Sequence, residues 1–177
     1  MRLKLALLIV SFLVIGSVLM GCGSSDIDKA AIISGELLKT EKTLPVNFYE
    51  LAEQGVLVKK VTNQAEYNEQ WDYYQLKEKP SEIDWSKKEV IFLGIFESGS
   101  CPYEFKSVEL NDEKTEIIFH IEVDSKKQAC TDDATPRTIV LAVDADVVSD
   151  VTLVKISNYN GINPKVQFYE DSNKGVN

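Results

Sequence analysis

Most of the second half of the chain has the hydrophobic patterns of β-strands. Residues 90–96 and 138–143 are apolar almost without interruption, which is typical of strands that are covered on both faces. In 115–123 apolar residues alternate with polar ones, so one face of this strand should be buried and the other partly exposed. The predicted buried face consists of Ile117, Phe119, Ile121 and Val123. A further strand is predicted at 56–61.

Two pairs of these segments are predicted to form hairpins. The first joins 104–110 to 115–123 through the polar loop Asn-Asp-Glu-Lys. The second joins 152–159 to 162–169 through Asn160-Gly161, a dipeptide that favours a two-residue turn. A proline within the second arm places that arm at a sheet edge, because proline has no amide hydrogen to donate.

One main helix is predicted at about residues 64–75. Asn63 can cap its first turn, and Glu66 follows at the capping-box position. Tyr67, Trp71 and Tyr74 recur at the spacing of one helix face, which indicates packing against a sheet. Residues 29–39 fit neither period, and 27–39 stay open between helix, strand and tether. The predicted fold class is α+β, a mostly antiparallel β sheet or sandwich with this one main helix.

The N-terminus has the pattern of a secretory signal. Arg2 and Lys4 precede the uncharged run 5–18, which is too short for a stable membrane span. Leu19-Met20-Gly21-Cys22 follows and resembles the lipobox of bacterial lipoproteins. The resemblance implies cleavage after residue 21 and lipidation of Cys22, with acyl chains such as palmitate. The protein would then be anchored at the extracytoplasmic face of the cell membrane. The alternative is an uncleaved anchor with a chance cysteine.

The predicted organisation has three parts. Residues 1–21 are the signal peptide, 22–42 are the lipidated N-terminus and tether, and 43–177 form a single globular β-rich domain. The 156 residues that remain after cleavage suit one domain with a hydrophobic core and are too few to favour two.

The charge of the chain limits its partners. The whole sequence carries a formal charge of −9. Two of its 19 basic residues lie in 1–21, which contains no acidic residue, so 17 basic and 28 acidic residues remain and the charge becomes −11. Such a surface repels phosphate, and nucleic acid is therefore excluded as a partner. Membrane attachment must come from lipid and not from a basic patch.

Two cysteines remain after Cys22, and a disulfide between Cys101 and Cys130 is predicted. They flank the first hairpin, one just before its first arm and one just after its second, so both lie at its open end. A zinc site would need more ligands than two cysteines and the single histidine can supply. No Cys-x-x-Cys redox motif is present.

The sequence offers little that could carry catalysis. His120 is the only histidine, and no Gly-x-Ser-x-Gly, phosphate-binding or dinucleotide-binding motif accompanies it. Acidic residues cluster at Glu122/Asp124, Asp132/Asp133 and Asp144/Asp146/Asp150. Neither Asp144-Ala-Asp146 nor the Asp132 pair continues into an EF-hand loop. We therefore predict a non-enzymatic protein without a cofactor or metal. The first alternative is a calcium-binding or small-ligand-binding surface lipoprotein. The second, less favoured, is a carboxylate-dependent hydrolase.

The two least regular loops of the β region are 98–102 and 129–137. A binding surface is predicted where they meet, at the end of the first hairpin that the disulfide would close. Its candidate residues are Ser98, Tyr103, Asp132, Asp133 and Arg137. Tyrosine and arginine are frequent anchors in interfaces. For Arg137, the only arginine after the signal, a structural ion pair is the alternative.

The order of motifs in residues 56–156 resembles the C-terminal-like domain family of the protease-complex assembly protein PrcB. The resemblance is carried by Tyr67-x-x-x-Trp71 and by Ile83-Asp84-Trp85-Ser86-Lys87-Lys88-Glu89-Val90-Ile91. The small-residue loop Ser98-Gly99-Ser100, which leads into a hairpin, completes it. It implies a module that binds or regulates another envelope or cell-surface protein, such as a protease.

Overall fold

The computed structural model describes residues 31–123 and 129–170. Within these ranges the chain forms nine strands and three short helices. In chain order they are β1 Ala31–Ile33, β2 Gly35–Glu41, α1 Phe48–Leu51, β3 Val56–Val61, α2 Gln64–Tyr73, β4 Lys88–Glu97, β5 Tyr103–Leu110, β6 Glu116–Val123, β7 Thr135–Asp144, α3 Ala145–Val148, β8 Leu153–Ser157 and β9 Lys165–Gln167. The predicted α+β fold is confirmed. The signal peptide and Cys22 lie outside the described residues.

The described strands form two sheets that pack face to face. One has the order β1-β5-β6-β8-β9 and the other β2-β7-β4-β3. Strand β8 runs parallel to β6, whereas every other described pair is antiparallel. The inner faces meet in an aliphatic core to which β6 contributes Ile117, Phe119 and Ile121, as its alternation predicted.

A second hydrophobic layer covers the outer face of the four-stranded sheet. Tyr67 of α2 and the following Tyr74 are buried against Phe92 of β4, and Trp71 of α2 packs edge-to-face on Tyr67. The helix begins as predicted, since Asn63 Oδ1 accepts a hydrogen bond from the Glu66 amide at 3.0 Å. Strand β4 is therefore covered on both faces, which explains its unbroken apolar run.

Residues 31–33 and 35–41 form β1 and β2, so this part of 22–42 is strand, one of the alternatives left open for 27–39, and not tether. This segment crosses between the sheets, because β1 pairs with β5 and β2 pairs with β7. A register shift between Leu37 and Lys39 interrupts β2, and Ile32 and Leu37 are exposed. Because the segment changes from one sheet to the other and β2 has a register shift, its apolar residues do not recur with the two-residue period of a regular strand. The sequence pattern therefore could not identify these strands.

The turn at Asn160-Gly161 has the predicted two-residue geometry. Its φ angles are 49° and 76°, both positive as a type I′ turn requires. The paired strands β8 and β9 are shorter than the predicted arms 152–159 and 162–169. Pro164 lies directly before β9, and β9 is at the sheet edge, as the proline predicted.

Candidate functional site

The predicted disulfide is present and closes one end of the sandwich. Cys101 and Cys130 lie 5.5 Å apart at their Cα atoms, and the Cys101 side is buried. The bond connects Cys101, which precedes β5, with Cys130, which lies in the segment that follows β6. We call residues 98–102 and 129–134 the stapled loops, and this end of the molecule the stapled end.

Asp133 organises the stapled loops. Its carboxylate accepts hydrogen bonds from the Gly99 amide at 3.1 and 3.2 Å, from Thr135 Oγ1 at 2.9 Å and from Thr131 Oγ1. The Thr131 hydroxyl bond, followed by the Gly99 amide, lowers the pKa of Asp133 below its ordinary value of 3.8. These bonds persist at neutral pH and are lost only as the pH falls through that lowered pKa.

The serine and threonine hydroxyls extend this network. Ser100 Oγ accepts from the Thr131 amide at 2.9 Å, and the hydroxyls of Ser98 and Thr131 lie 3.1 Å apart. Hydroxyl and amide groups of each loop are thus bonded to the other loop. These hydrogen bonds hold the exposed backbone of both loops in one conformation.

Gly99 is required for this arrangement because a side chain there would meet Asp133. A Cβ atom on Gly99 would overlap Asp133 Oδ2 and lie 3.0 Å from Thr135 Oγ1. We expect Gly99→Ala to displace the carboxylate and to raise the pKa of Asp133 towards its ordinary value, as measured by NMR titration. Ser98→Ala is the control, since the Ser98 hydroxyl is not a donor to Asp133. An unchanged pKa in Gly99→Ala would contradict the expectation.

Arg137 lies beneath the loops and is paired inside the fold. Its Nε and Nη2 atoms donate to Glu97 Oε1 at 2.9 and 2.5 Å, and Nη1 donates to Thr40 Oγ1 at 3.0 Å. The Glu97 side chain is fully buried, and Oε2 accepts from the Tyr103 amide at 2.8 Å. Arg137 is therefore a structural ion-pair residue, the predicted alternative, and not an open anchor of the binding surface.

Tyr103 also has a structural role. Its hydroxyl donates to Asn160 Oδ1 and accepts from the Asn160 amide, each at 3.0 Å. Its half-buried ring packs near Tyr159 with centroids 5.8 Å apart. Tyr103 therefore ties the start of β5 to the β8–β9 turn.

The surface of the stapled end is a shallow open depression of about 450 Å³. It is lined by Phe96, Glu97, Ser98, Thr131, Asp132, Asp133, Ala134 and Asn160. The structure thus brings together the predicted residues Ser98, Asp132 and Asp133, while Tyr103 and Arg137 support them from within. Asp132 is exposed.

An apolar patch next to this depression was not predicted from the sequence. Tyr49 is 76% exposed, and its ring stacks on Phe96 at 5.2 Å with an interplanar angle of 22°. Val46, which precedes the same short helix, is 92% exposed. We call the stacked pair Tyr49 and Phe96, together with Val46 three residues before Tyr49 in the sequence, the aromatic step. Helix α1 has only four residues and therefore shows no recognisable period.

The other candidate groups lie apart from the stapled loops. His120 is on the outer face of β6 with Nε2 3.1 Å from Glu109 Oε2, and Asp144 pairs with Lys88 at 2.8 Å.

Within 31–123 and 129–170, no group of three or more His, Cys, Asp or Glu side chains is placed to hold a metal ion. In the same ranges no helix has the length and apolar character needed to cross a membrane.

Comparisons of the chain with protein-family models, with curated proteins and with solved structures found no match.

Proposed function

We propose that the chain is a lipid-anchored extracytoplasmic module that binds another envelope protein through its stapled end. The observation that carries this proposal is the mutual bonding of the stapled loops around Asp133. Loops that are fixed in this way present a surface at low entropic cost, which favours binding. The resemblance to the PrcB C-terminal-like family supports a regulatory role on a protease or a similar envelope protein.

The position of the N-terminal strand supports the orientation that this function needs. Ala31 pairs with Leu110, beside the β5–β6 turn, whereas the stapled loops lie at the other end of β5. The eight residues of β5 span about 25 Å. With Cys22 lipidated, the chain would reach the domain at the turn end, which is the end opposite the stapled loops.

Blocking the stapled end should abolish partner capture. Ala134 is exposed within the second loop. Ala134→Trp places a large side chain there without removing a side-chain hydrogen bond, because alanine makes none. We expect at least a tenfold loss of partner cross-linked on intact bacteria, with an unchanged melting temperature. The matched control is Ala65→Trp, on the exposed side of α2 near the opposite end of the sandwich. Equal capture by both variants and by wild type would refute the proposal.

A further inference from the structure

We infer that the partner is a basic protein segment with an apolar side chain that docks on the aromatic step, while its Lys or Arg residues face Asp132. This inference rests on the proposed function and adds the chemistry of the partner. The aromatic step and the depression form one continuous surface, because Phe96 belongs to both.

The exposed area of the aromatic step favours a protein contact. Val46 and Tyr49 are far more exposed than large hydrophobic residues usually are, although they follow the buried Leu44 and flank the buried Phe48. Tyrosine is enriched among the residues that dominate binding, because its ring is large and has few rotatable bonds. Covering these side chains removes apolar surface from water and so stabilises a complex.

The two rings of the aromatic step are packed on other rings. Phe96 packs edge-to-face on the buried Phe48 ring at 5.1 Å, and Tyr49 stacks on Phe96. Ahead of α1, Asn47 Oδ1 accepts from Tyr73 Oη at 2.5 Å, and the Phe48 amide donates to Pro45 O at 3.1 Å. A partner therefore would not have to order the Tyr49 and Phe96 rings, which reduces the entropic cost of docking.

The exposed acidic side chains of the depression and of α1 favour a basic partner, although Lys42, four residues before Val46, is also exposed. Asp132 is exposed in the depression, and Asp133 has a lowered pKa and stays ionised. Glu50 is exposed directly beside Tyr49. Arg137 offers no free positive charge to this surface, because Glu97 binds it. An acidic surface on a chain of formal charge −9 attracts basic groups and repels a second copy of itself.

The test uses the full-length, membrane-anchored protein in the bacterium that produces it. Benzoylphenylalanine replaces Tyr49, and in separate strains Ile32 or Ala134, and the cross-linked peptide is identified by mass spectrometry. We expect position 49 to label one protein segment that contains Lys or Arg beside an apolar residue. Position 32 is the control, because Ile32 is 75% exposed on β1, at the turn end.

The segment identified in this way is then synthesised, and its binding is measured by fluorescence anisotropy. We expect Tyr49→Ser and Val46→Ser each to weaken binding at least tenfold, and Ile32→Ser to have no effect. Asp132→Asn should reduce the dependence of affinity on salt. Because the substituted side chains are exposed, the melting temperatures should match that of the wild type.

The outcomes separate this inference from the proposed function. If only position 134 labels a protein, or if Tyr49→Ser binds the peptide as wild type does, the inference is wrong and the proposed function stands. Labelling of a second copy, of cell-wall glycan or of a segment without basic residues at position 49 also overturns the inference. If neither position 49 nor position 134 labels a protein, both are wrong.

Discussion

Replacing Arg137 with alanine should lower the free energy of unfolding by about 3–5 kcal/mol. The Glu97 side chain is completely buried, and Arg137 is 12% exposed, so the pair is shielded from solvent. Without the guanidinium, the Glu97 carboxylate would be left as an uncompensated buried charge. A loss of this size is a large part of the stability of a typical domain.

Urea unfolding of the purified protein measures this effect. The control is the double variant Glu97→Gln/Arg137→Met, which removes both charges while the glutamine oxygen still accepts from the Tyr103 amide. It should recover at least half of the lost stability, because neither partner then leaves a buried charge. A loss below about 1 kcal/mol in Arg137→Ala would contradict the prediction, because exposed ion pairs contribute that little. It would show that water or another polar group solvates the Glu97 carboxylate.

Removing the Cys101–Cys130 bond should cost about 3–4 kcal/mol, because it closes a loop of 29 residues in the unfolded chain. The comparison uses Cys101→Ala/Cys130→Ala in a background that also carries Cys22→Ala, so that no other cysteine is present. Reducing the Cys22→Ala protein should produce a similar shift in the urea midpoint.

A thiol assay on the denatured protein provides an independent check. Without reductant, the Cys22→Ala protein should show no free thiol. Two reactive thiols would show that the bridge does not form in solution. The stapled loops should also loosen in the double-alanine variant, so the pKa of Asp133 should rise as its partners move away.

Part of the candidate site follows from local sequence. The two cysteines flank a hairpin whose arms are visible in the alternation of residues 104–123, and this places Cys101 and Cys130 at one end. The meeting of Ser98 with Asp132 and Asp133 follows from that placement. The role of Arg137 does not follow, because Glu97 is 40 residues away in the sequence and reaches it only through the pairing of β4 with β7.

The aromatic step depends on tertiary structure for a similar reason. Tyr49 and Phe96 are separated by 47 residues, and they meet because Phe48 packs over β4 close to Gly94. A Cβ at Gly94 would lie 3.3 Å from the Phe48 ring. A tyrosine in a four-residue helix carries no signal of its own that distinguishes an exposed residue from a buried one.

The sequence alone determined the elements whose cause is local. Alternation and apolar runs defined the central strands, Asn63 with its aromatic stripe defined α2, and Asn160-Gly161 defined its turn. Tertiary structure decided the rest: the crossing of β1–β2 between the sheets, the parallel β6–β8 pair and the Arg137–Glu97 contact. These features join residues that are distant along the chain. Their free energy comes from packing and pairing partners that no single segment contains.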